Sequence, residues 1–206
     1  MRVYLVRHEE TEHNANKLYM SPDVPLSEVG LKQAEDLANR LKKLPVDLIL
    51  SSPYERAKQT ADIISKHLEK EVQVEEDLKE IVRPSFFHHR SWTEPEISEI
   101  RDLIIEKWGD KDFHHSDEEN FPELLKRGLN IISKLENLNA EHVVVVTHEG
   151  FMKMILAALV FGADLNSKLF DELYEFLRVS NTGITICDRR DGEWKLVTWN
   201  DHAHLG

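Results

Sequence analysis

The sequence contains a single cysteine, Cys187, among its 206 residues. An intrachain disulfide is therefore impossible, and a zinc site built from several cysteines is excluded. Basic residues are also scarce, because 26 Lys and Arg stand against 38 Asp and Glu, for a net charge of −12. Phosphate backbones and anionic lipids attract basic surfaces, so this balance predicts that neither nucleic acid nor membrane is a partner.

A long hydrophobic segment is missing as well. The longest apolar run, from Met154 to Ala163, is about half of the ~20 residues that a membrane-spanning helix needs. The N-terminal sequence MRVYLVRHEE becomes charged too early for a signal peptide. No linker, repeat or low-complexity tract interrupts the chain. We therefore expect a single domain over residues 1–206 and a soluble, cytoplasmic protein.

Apolar periodicity predicts strands that alternate with helices. Short apolar runs predict strands at residues 3–6, 46–50, 72–74 and 142–146. Helical spacing predicts helices at 27–44, 96–108, 121–138 and 150–160. Capping patterns predict a further helix start at Ser52 with Glu55, and place Asn120 and Glu123 at the start of the helix at 121–138.

The last third of the chain alternates like a sheet. This pattern predicts strands at 175–179, 183–188 and 194–199, the last two joined around an Asp191-Gly192 turn. Strands alternating with helices early, and hairpin strands late, predict an α/β fold. Its expected form is a three-layer α/β/α arrangement with a mixed, mostly parallel sheet.

Three predicted strands are followed by residues suited to phosphate chemistry. The first strand leads into Arg7 and His8, the second into Arg56, and the valine-rich strand into His148. Functional residues of open α/β sheets gather beyond the carboxyl ends of strands. Arginine matches phosphate oxygens with a planar fork, and a neutral imidazole is a competent nucleophile. These residues predict a phosphate-handling site.

Four ordered sequence blocks carry a resemblance to a known family. They are LVRHEETEHN at 5–14, DVPLSEVG at 23–30, SSP at 51–53 followed by Arg56, and VTH at 146–148. Together they resemble the histidine phosphatase superfamily, also called phosphoglycerate mutase-like. The similarity extends from residue 3 to about residue 160, and it implies the phosphoglycerate mutase-like fold.

The resemblance implies a role for each matching residue. His8 would be the nucleophile that becomes phosphohistidine, and a second set would bind the phosphoryl oxygens: Arg7, Asn14, Arg56 and His148. The Leu-Lys-Glu sequence at 78–80 resembles the setting of the family's proton donor, which favours Glu80, with Asp77 as the alternative. The resemblance implies neither a metal nor a cofactor, and its partner would be a small phosphorylated substrate.

Departures from the family pattern affect both the site and the substrate. Glu9 and Glu149 stand where the family usually has glycine, and the loop at 83–92 replaces a tryptophan-containing loop. A carboxylate that faces the phosphate would repel it, so we expect Glu9 to turn away, toward a basic partner or solvent. The alternative is a Glu9 side chain at the pocket rim that favours a cationic or hydroxyl-rich substrate.

The sequence as a whole predicts a metal-independent phosphatase that hydrolyses a small phosphate ester through a phosphohistidine. Two alternatives stay open. One is a phosphoglycerate mutase-type phosphotransferase, and the other is a catalytically weak member that binds a phosphorylated ligand. The sequence identifies neither the substrate nor the oligomeric state.

Overall fold

Six strands form one sheet in the computed structural model, which describes residues 1–205. In chain order they are β1 (Arg2–Arg7), β2 (Leu48–Ser51), β3 (Val72–Val74), β4 (His142–Thr147), β5 (Ile184–Arg190) and β6 (Glu193–Asp201). Their spatial order is β3-β2-β4-β1-β5-β6. The first four are parallel to one another, and β5 and β6 continue the sheet in antiparallel fashion. The predicted mixed, mostly parallel sheet is confirmed.

Helices cover both faces of this sheet. They are α1 (Glu12–Ala15), α2 (Glu28–Leu41), α3 (Glu55–Leu68), α4 (Pro95–Lys107), α5 (Phe121–Glu136), α6 (Glu149–Phe161) and α7 (Ser167–Phe176). One hydrophobic core contains side chains of α2 and α3, and the other contains side chains of α4 to α7. This is the predicted three-layer arrangement.

The central strands are apolar at every position because both of their faces are buried. In β4, Val143 and Val145 lie in one core, whereas Val144 and Val146 lie in the other. All four side chains are inaccessible to solvent. Alternate residues of a strand point to opposite faces, so a strand buried on both sides needs an unbroken apolar run. The consecutive valines in the sequence are explained by this position.

The register of the central strands brings their carboxyl ends to one edge. Arg7 is paired with Thr147, and Ser51 with Val146. The pairing continues one residue further, because the His8 N–H donates to the Thr147 carbonyl at 3.0 Å and the Ser52 N–H to the Val146 carbonyl at 3.0 Å. The residues that follow β1, β2 and β4 therefore meet, as predicted from the order of the strands.

Two local predictions are wrong. The helix after β2 begins at Glu55, with Tyr54 as an N-cap that makes no side-chain cap bond. Ser52 does not form the expected capping box, because its hydroxyl contacts His148 instead, with 2.7 Å between Oγ and Nε2.

The predicted strand at 175–179 is also absent, because its first residues complete α7. Asn166 caps this helix by accepting the Leu169 N–H at 3.1 Å. The apolar residues of the helix recur at helical spacing: Leu169, Phe170, Leu173 and Tyr174. Among the helices of residues 1–205, none is long and apolar enough to cross a membrane.

Candidate active site

His8 lies directly after β1 and is completely enclosed. Its Nδ1–H donates to the Glu9 carbonyl at 2.7 Å, and its Nε2 accepts from the Arg56 Nε–H at 3.2 Å. Because a guanidinium can only donate, Nε2 carries the lone pair and Nδ1 the proton. Burial, followed by the charges of Arg56 and Arg7, lowers the pKa of His8 well below its usual value. The imidazole is therefore neutral at neutral pH, with Nε2 as its nucleophilic atom.

His148 follows β4 and lies edge-on to His8, with 5.1 Å between the ring centres. Its Nε2 contacts the Ser52 hydroxyl, which also accepts the Tyr54 N–H at 3.3 Å. Nδ1 is buried and has no protein partner within the described chain. Burial lowers the pKa of this histidine as well.

Two guanidinium groups flank His8. Arg56 of α3 is buried, and its Nη1 donates to the Ser21 carbonyl at 3.1 Å. Burial lowers the pKa of Arg56 to about 10, so this side chain stays charged at neutral pH. Arg7 donates through Nη1 to the Val179 carbonyl at 2.8 Å, and its buried Nε has no partner among residues 1–205. Both arginines thus supply positive charge at the end of β1.

Asn14 belongs to the short helix α1 and is held from two sides. Its Oδ1 accepts the Thr11 N–H at 2.6 Å, and its Nδ2 donates to Asn181 Oδ1 at 3.3 Å. Asn181 in turn donates through Nδ2 to the His8 carbonyl at 3.0 Å. The loop that carries Asn181 therefore links Asn14 to the backbone of His8.

The side chain of Glu80 lies against the N-terminus of α6. Its carboxylate accepts the Gly150 N–H at 3.2 Å and the Phe151 N–H at 3.0 Å. The free N–H groups of a helix N-terminus attract a carboxylate in this way. The alternative candidate, Asp77, instead accepts from Asn130 Nδ2 at 3.1 Å on the protein surface. Of the two carboxylates, Glu80 is the one that lines the cavity beside His8.

The candidate residues surround a cavity of about 750 Å³. Five of the six predicted site residues line it: Arg7, His8, Asn14, Arg56 and Glu80. His148 lies behind His8. The loop at 83–92 forms part of the wall, and it is attached to the segment after α1 by backbone bonds between Tyr19 and both His89 and Arg90. The loop that departs from the family pattern therefore faces the space next to the predicted phosphate-binding residues.

The two glutamates at unusual positions have different environments. Glu9 is fully buried and turned away from the cavity, and it receives a hydrogen bond from the Thr60 hydroxyl. The expected orientation is confirmed, but the expected partner is wrong, because Thr60 is neither basic nor solvent. Burial raises the pKa of Glu9 to about 8. Glu149, by contrast, lines the cavity and pairs with Arg7 and Lys153.

The histidine-rich segments do not assemble into a metal site. Within residues 1–205, no group of three or more His, Cys, Asp or Glu residues is arranged to hold a metal ion. His89 contacts His13, with 2.7 Å between Nδ1 and Nε2, and His114 contacts Glu123 at 3.0 Å. These imidazoles therefore form pairs at the protein surface.

Two structurally important residues were missed at the sequence level. A methyl group on Gly150 would lie 2.8 Å from Glu80 Oε1 and 2.8 Å from Ile81, so glycine is required for the close approach of Glu80. Lys153 is buried and pairs with Glu149. The signals were a glycine two residues after His148 and a lysine four residues after Glu149 in an otherwise apolar helix.

Comparison with known proteins identifies the family. The family model described as histidine phosphatase superfamily (branch 1) matches residues 3–202. The chain belongs to this superfamily. An Arabidopsis thaliana relative, named metal-independent phosphoserine phosphatase, is 30% identical over 217 residues, covering 98% of this chain and 82% of the relative. The adenosylcobalamin/alpha-ribazole phosphatase of Escherichia coli is 30% identical over 171 residues, covering 78% and 79%.

Solved structures of the superfamily share the fold. The crystal structure of an Entamoeba histolytica phosphoserine phosphatase mutant with phosphoserine has a TM-score of 0.77 and 26% identity, and covers 99% of this chain and 98% of that one. The predicted family, fold class and phosphatase activity are confirmed by this relationship. The roles of the individual residues stay predictions.

Proposed function

We propose that this histidine phosphatase hydrolyses a small phosphate monoester in two steps through a phosphohistidine on His8. The observation that carries the proposal is the state of His8, a buried neutral imidazole with its lone pair on Nε2 between two guanidinium groups. Such an imidazole is a nucleophile without prior deprotonation, and covalent capture divides the reaction into two easier steps.

In the first step, Nε2 attacks phosphorus while the ester P–O bond breaks. Glu80, in its protonated form, transfers its proton to the leaving alkoxide, which departs as an alcohol. In the second step, a water oxygen attacks the phosphohistidine, the N–P bond breaks, and Glu80 takes the proton of the water. Orthophosphate leaves, and His8 and Glu80 return to their starting states.

The phosphoryl oxygens would be bound by donors that the protein already holds in place. Arg7, Arg56 and Asn14 line the cavity, and His148 lies next to His8, with 5.1 Å between the ring centres. Prearranged donors of this kind stabilise the charge that develops in the transition state. Because two arginines supply positive charge, we propose that the reaction proceeds without a metal ion.

An arginine in the wall of the cavity, Arg83, is available to bind an acidic group of the substrate. Arg83 lines the cavity, and among residues 1–205 it makes no ion pair, contacting only the Trp108 ring with its charge. A cavity of about 750 Å³ suits a small molecule. The relative solved with phosphoserine has a substrate of this kind. We therefore propose a small phosphorylated substrate that carries a carboxylate.

The test compares the wild type with His8→Ala. We expect hydrolysis of p-nitrophenyl phosphate and phosphoserine by the wild type, and a loss on the order of 10³-fold in kcat for His8→Ala. Acid-labile, alkali-stable phosphate should be trapped on His8 after rapid quenching. His67→Ala, a change of a surface histidine on α3, is the matched control and should retain full activity.

The same assays separate the two alternatives. Turnover of His8→Ala at the wild-type rate would contradict the proposal, and tight phosphate binding without turnover in the wild type would indicate a ligand-binding member. A requirement for added 2,3-bisphosphoglycerate, with transfer rather than release of phosphate, would indicate a mutase.

A further inference from the structure

Three charged side chains form a continuous chain from the cavity into the protein interior. Glu149, the first residue of α6, forms an ion pair with Arg7, with 2.9 Å between Oε2 and Nη1. Its other oxygen, Oε1, forms an ion pair with Lys153, at 2.9 Å from Nζ. Lys153 lies one helical turn later and is only 3% exposed. The carboxylate of Glu149 therefore joins a predicted phosphate-binding arginine to a buried lysine.

Lys153 is held firmly at the inner end of this triad. Its ammonium donates to the Tyr174 carbonyl at 2.9 Å and lies 3.9 Å from the centre of the Tyr174 ring. Within the described chain, Glu149 is the only carboxylate that pairs with it. A buried ammonium is unfavourable unless it is paired, so the Glu149 carboxylate has a strong reason to stay in this position.

The position of Glu149 restricts Arg7. The planar guanidinium is held at Nη1 by an ion pair with Glu149 and by a hydrogen bond to the Val179 carbonyl. Fixing one nitrogen of a rigid fork also sets the direction of the others. The remaining buried donor, Nε, has no partner within residues 1–205. Arg7 lines the cavity, and its Nη2 makes no hydrogen bond within residues 1–205, which leaves Nη2 for a phosphoryl oxygen.

We propose that Glu149 and Lys153 are positioning residues, which orient Arg7 and balance the charge beside the phosphoryl group. The proposal rests on the function proposed above, because it assumes that Arg7 binds phosphate. With Lys153 present, the triad carries one net positive charge. Glu149 thus orients the arginine without making the site negative.

The proposal predicts effects of opposite sign on phosphate binding. Glu149→Gln removes a negative charge, so orthophosphate should bind about three- to tenfold more tightly. Lys153→Met leaves the carboxylate unbalanced, so orthophosphate should bind about three- to tenfold more weakly. Both changes should lower kcat by about three- to tenfold, because Arg7 loses a charge-assisted contact or its anchor. The double variant restores the net charge, and its phosphate affinity should lie within about twofold of the wild type.

The experiment measures the Kd of orthophosphate by calorimetry, kcat on p-nitrophenyl phosphate, and Tm for the wild type, the two single variants, the double variant and one control. Lys134→Met is the matched control, because it breaks an exposed Lys–Glu pair with Glu75 on the outer surface. Neither Kd nor kcat should change in this control. If Lys153→Met does not fold, the other two variants still test the proposal. Orthophosphate should bind more tightly to Glu149→Gln than to the wild type, and the double variant should restore the wild-type affinity.

The proposal would be overturned if the two single variants shifted the phosphate Kd equally or not at all and only lowered Tm. The three charged residues would then have a structural role alone. The wild type distinguishes this outcome from failure of the proposed function. If the wild type binds and hydrolyses phosphate esters through His8 but the variants lack the opposed shifts, only the positioning role is wrong. If the wild type does neither, the proposed function is wrong.

Discussion

Replacing Glu9 with glutamine provides the sharpest test of how this chain accommodates a carboxyl group next to its predicted nucleophile, His8. Glu9 is fully buried, it receives the Thr60 hydroxyl bond on one oxygen, and its other oxygen has no partner in the described chain. Burial disfavours the charged form and raises the pKa of Glu9 from 4.5 to about 8. At neutral pH the folded protein therefore holds a proton that the unfolded chain has released.

The linkage between this proton and folding sets the magnitude of the change in the free energy of unfolding. Because the native state binds more protons than the unfolded state between pH 4.5 and about 8, the free energy of unfolding falls as pH rises through this window. The fall is about 1.4 kcal/mol per pH unit, or about 3 kcal/mol at pH 7. Glu9→Gln abolishes this titration, but its altered hydrogen bond lowers the free energy of unfolding by roughly 1 kcal/mol. We expect the variant to be about 2 kcal/mol more stable than the wild type at pH 7.

The assay is reversible urea unfolding of both proteins between pH 5 and pH 8. The stability difference should grow with pH by about 1.4 kcal/mol per unit up to neutral pH. Glu12→Gln, which changes an exposed carboxyl group three residues away, is the control and should follow the wild type. A difference that varies by less than about 0.5 kcal/mol between pH 5 and pH 7 would refute the reasoning, because Glu9 would then be ionised in the folded protein.

The same variant tests the catalytic consequence. Only the backbone carbonyl of Glu9 contacts His8, and the side chain does not line the cavity. We therefore expect Glu9→Gln to change kcat/KM by less than about tenfold, equivalent to ~1.4 kcal/mol, with little change in phosphate inhibition. Phosphate inhibition that becomes a hundredfold tighter would place the carboxylate in the site.

Three further predictions concern the proton donor and the metal. Glu80→Gln should reduce kcat by about 10²-fold for an alkyl phosphate such as phosphoserine. The loss should be less than about tenfold for p-nitrophenyl phosphate, because its leaving group departs without a proton. Equal losses for the two substrates would argue against a proton-donor role. Gly150→Ala should displace the Glu80 carboxylate and show the same dependence on leaving group, because the new methyl would lie 2.8 Å from Oε1. Activity should persist in excess EDTA, whereas loss on chelation and recovery with Zn²⁺ or Mn²⁺ would establish a metal requirement.

The central part of the fold was predictable because its signals are local. The valines of β4 and the short apolar run of β1 each identify a strand buried on both faces. The Asn120 cap with Glu123 also forms as predicted, with Asn120 Oδ1 accepting the Glu123 N–H at 3.1 Å. The Ser52 prediction failed because a long-range partner, His148, competes for the hydroxyl that the local pattern assigned to a cap.

The positions of the site residues followed from strand order, but their contacts did not. Sequence alone placed His8, Arg56 and His148 at the ends of three strands, and a parallel sheet brings such ends together. It contained no information on which nitrogen of His8 is free, because that depends on Arg56 and on the Glu9 carbonyl. The link from Asn181 to the His8 carbonyl joins residues 173 positions apart and has no local signature.

The two acidic substitutions show why a departure from a family pattern does not by itself imply lost activity. Glu9 is accommodated by burial, which favours the neutral carboxyl group at neutral pH. Glu149 is accommodated by a second cation, since Lys153 offsets the charge that the carboxylate brings next to Arg7. Protonation thus neutralises Glu9, and pairing with Lys153 offsets the charge of Glu149. In both cases His8 stays beside net positive charge. The sequence alone predicted that Glu9 turns away from the phosphate, but it contained no sign of the burial of Glu9 or of the lysine partner of Glu149, because both are properties of the fold.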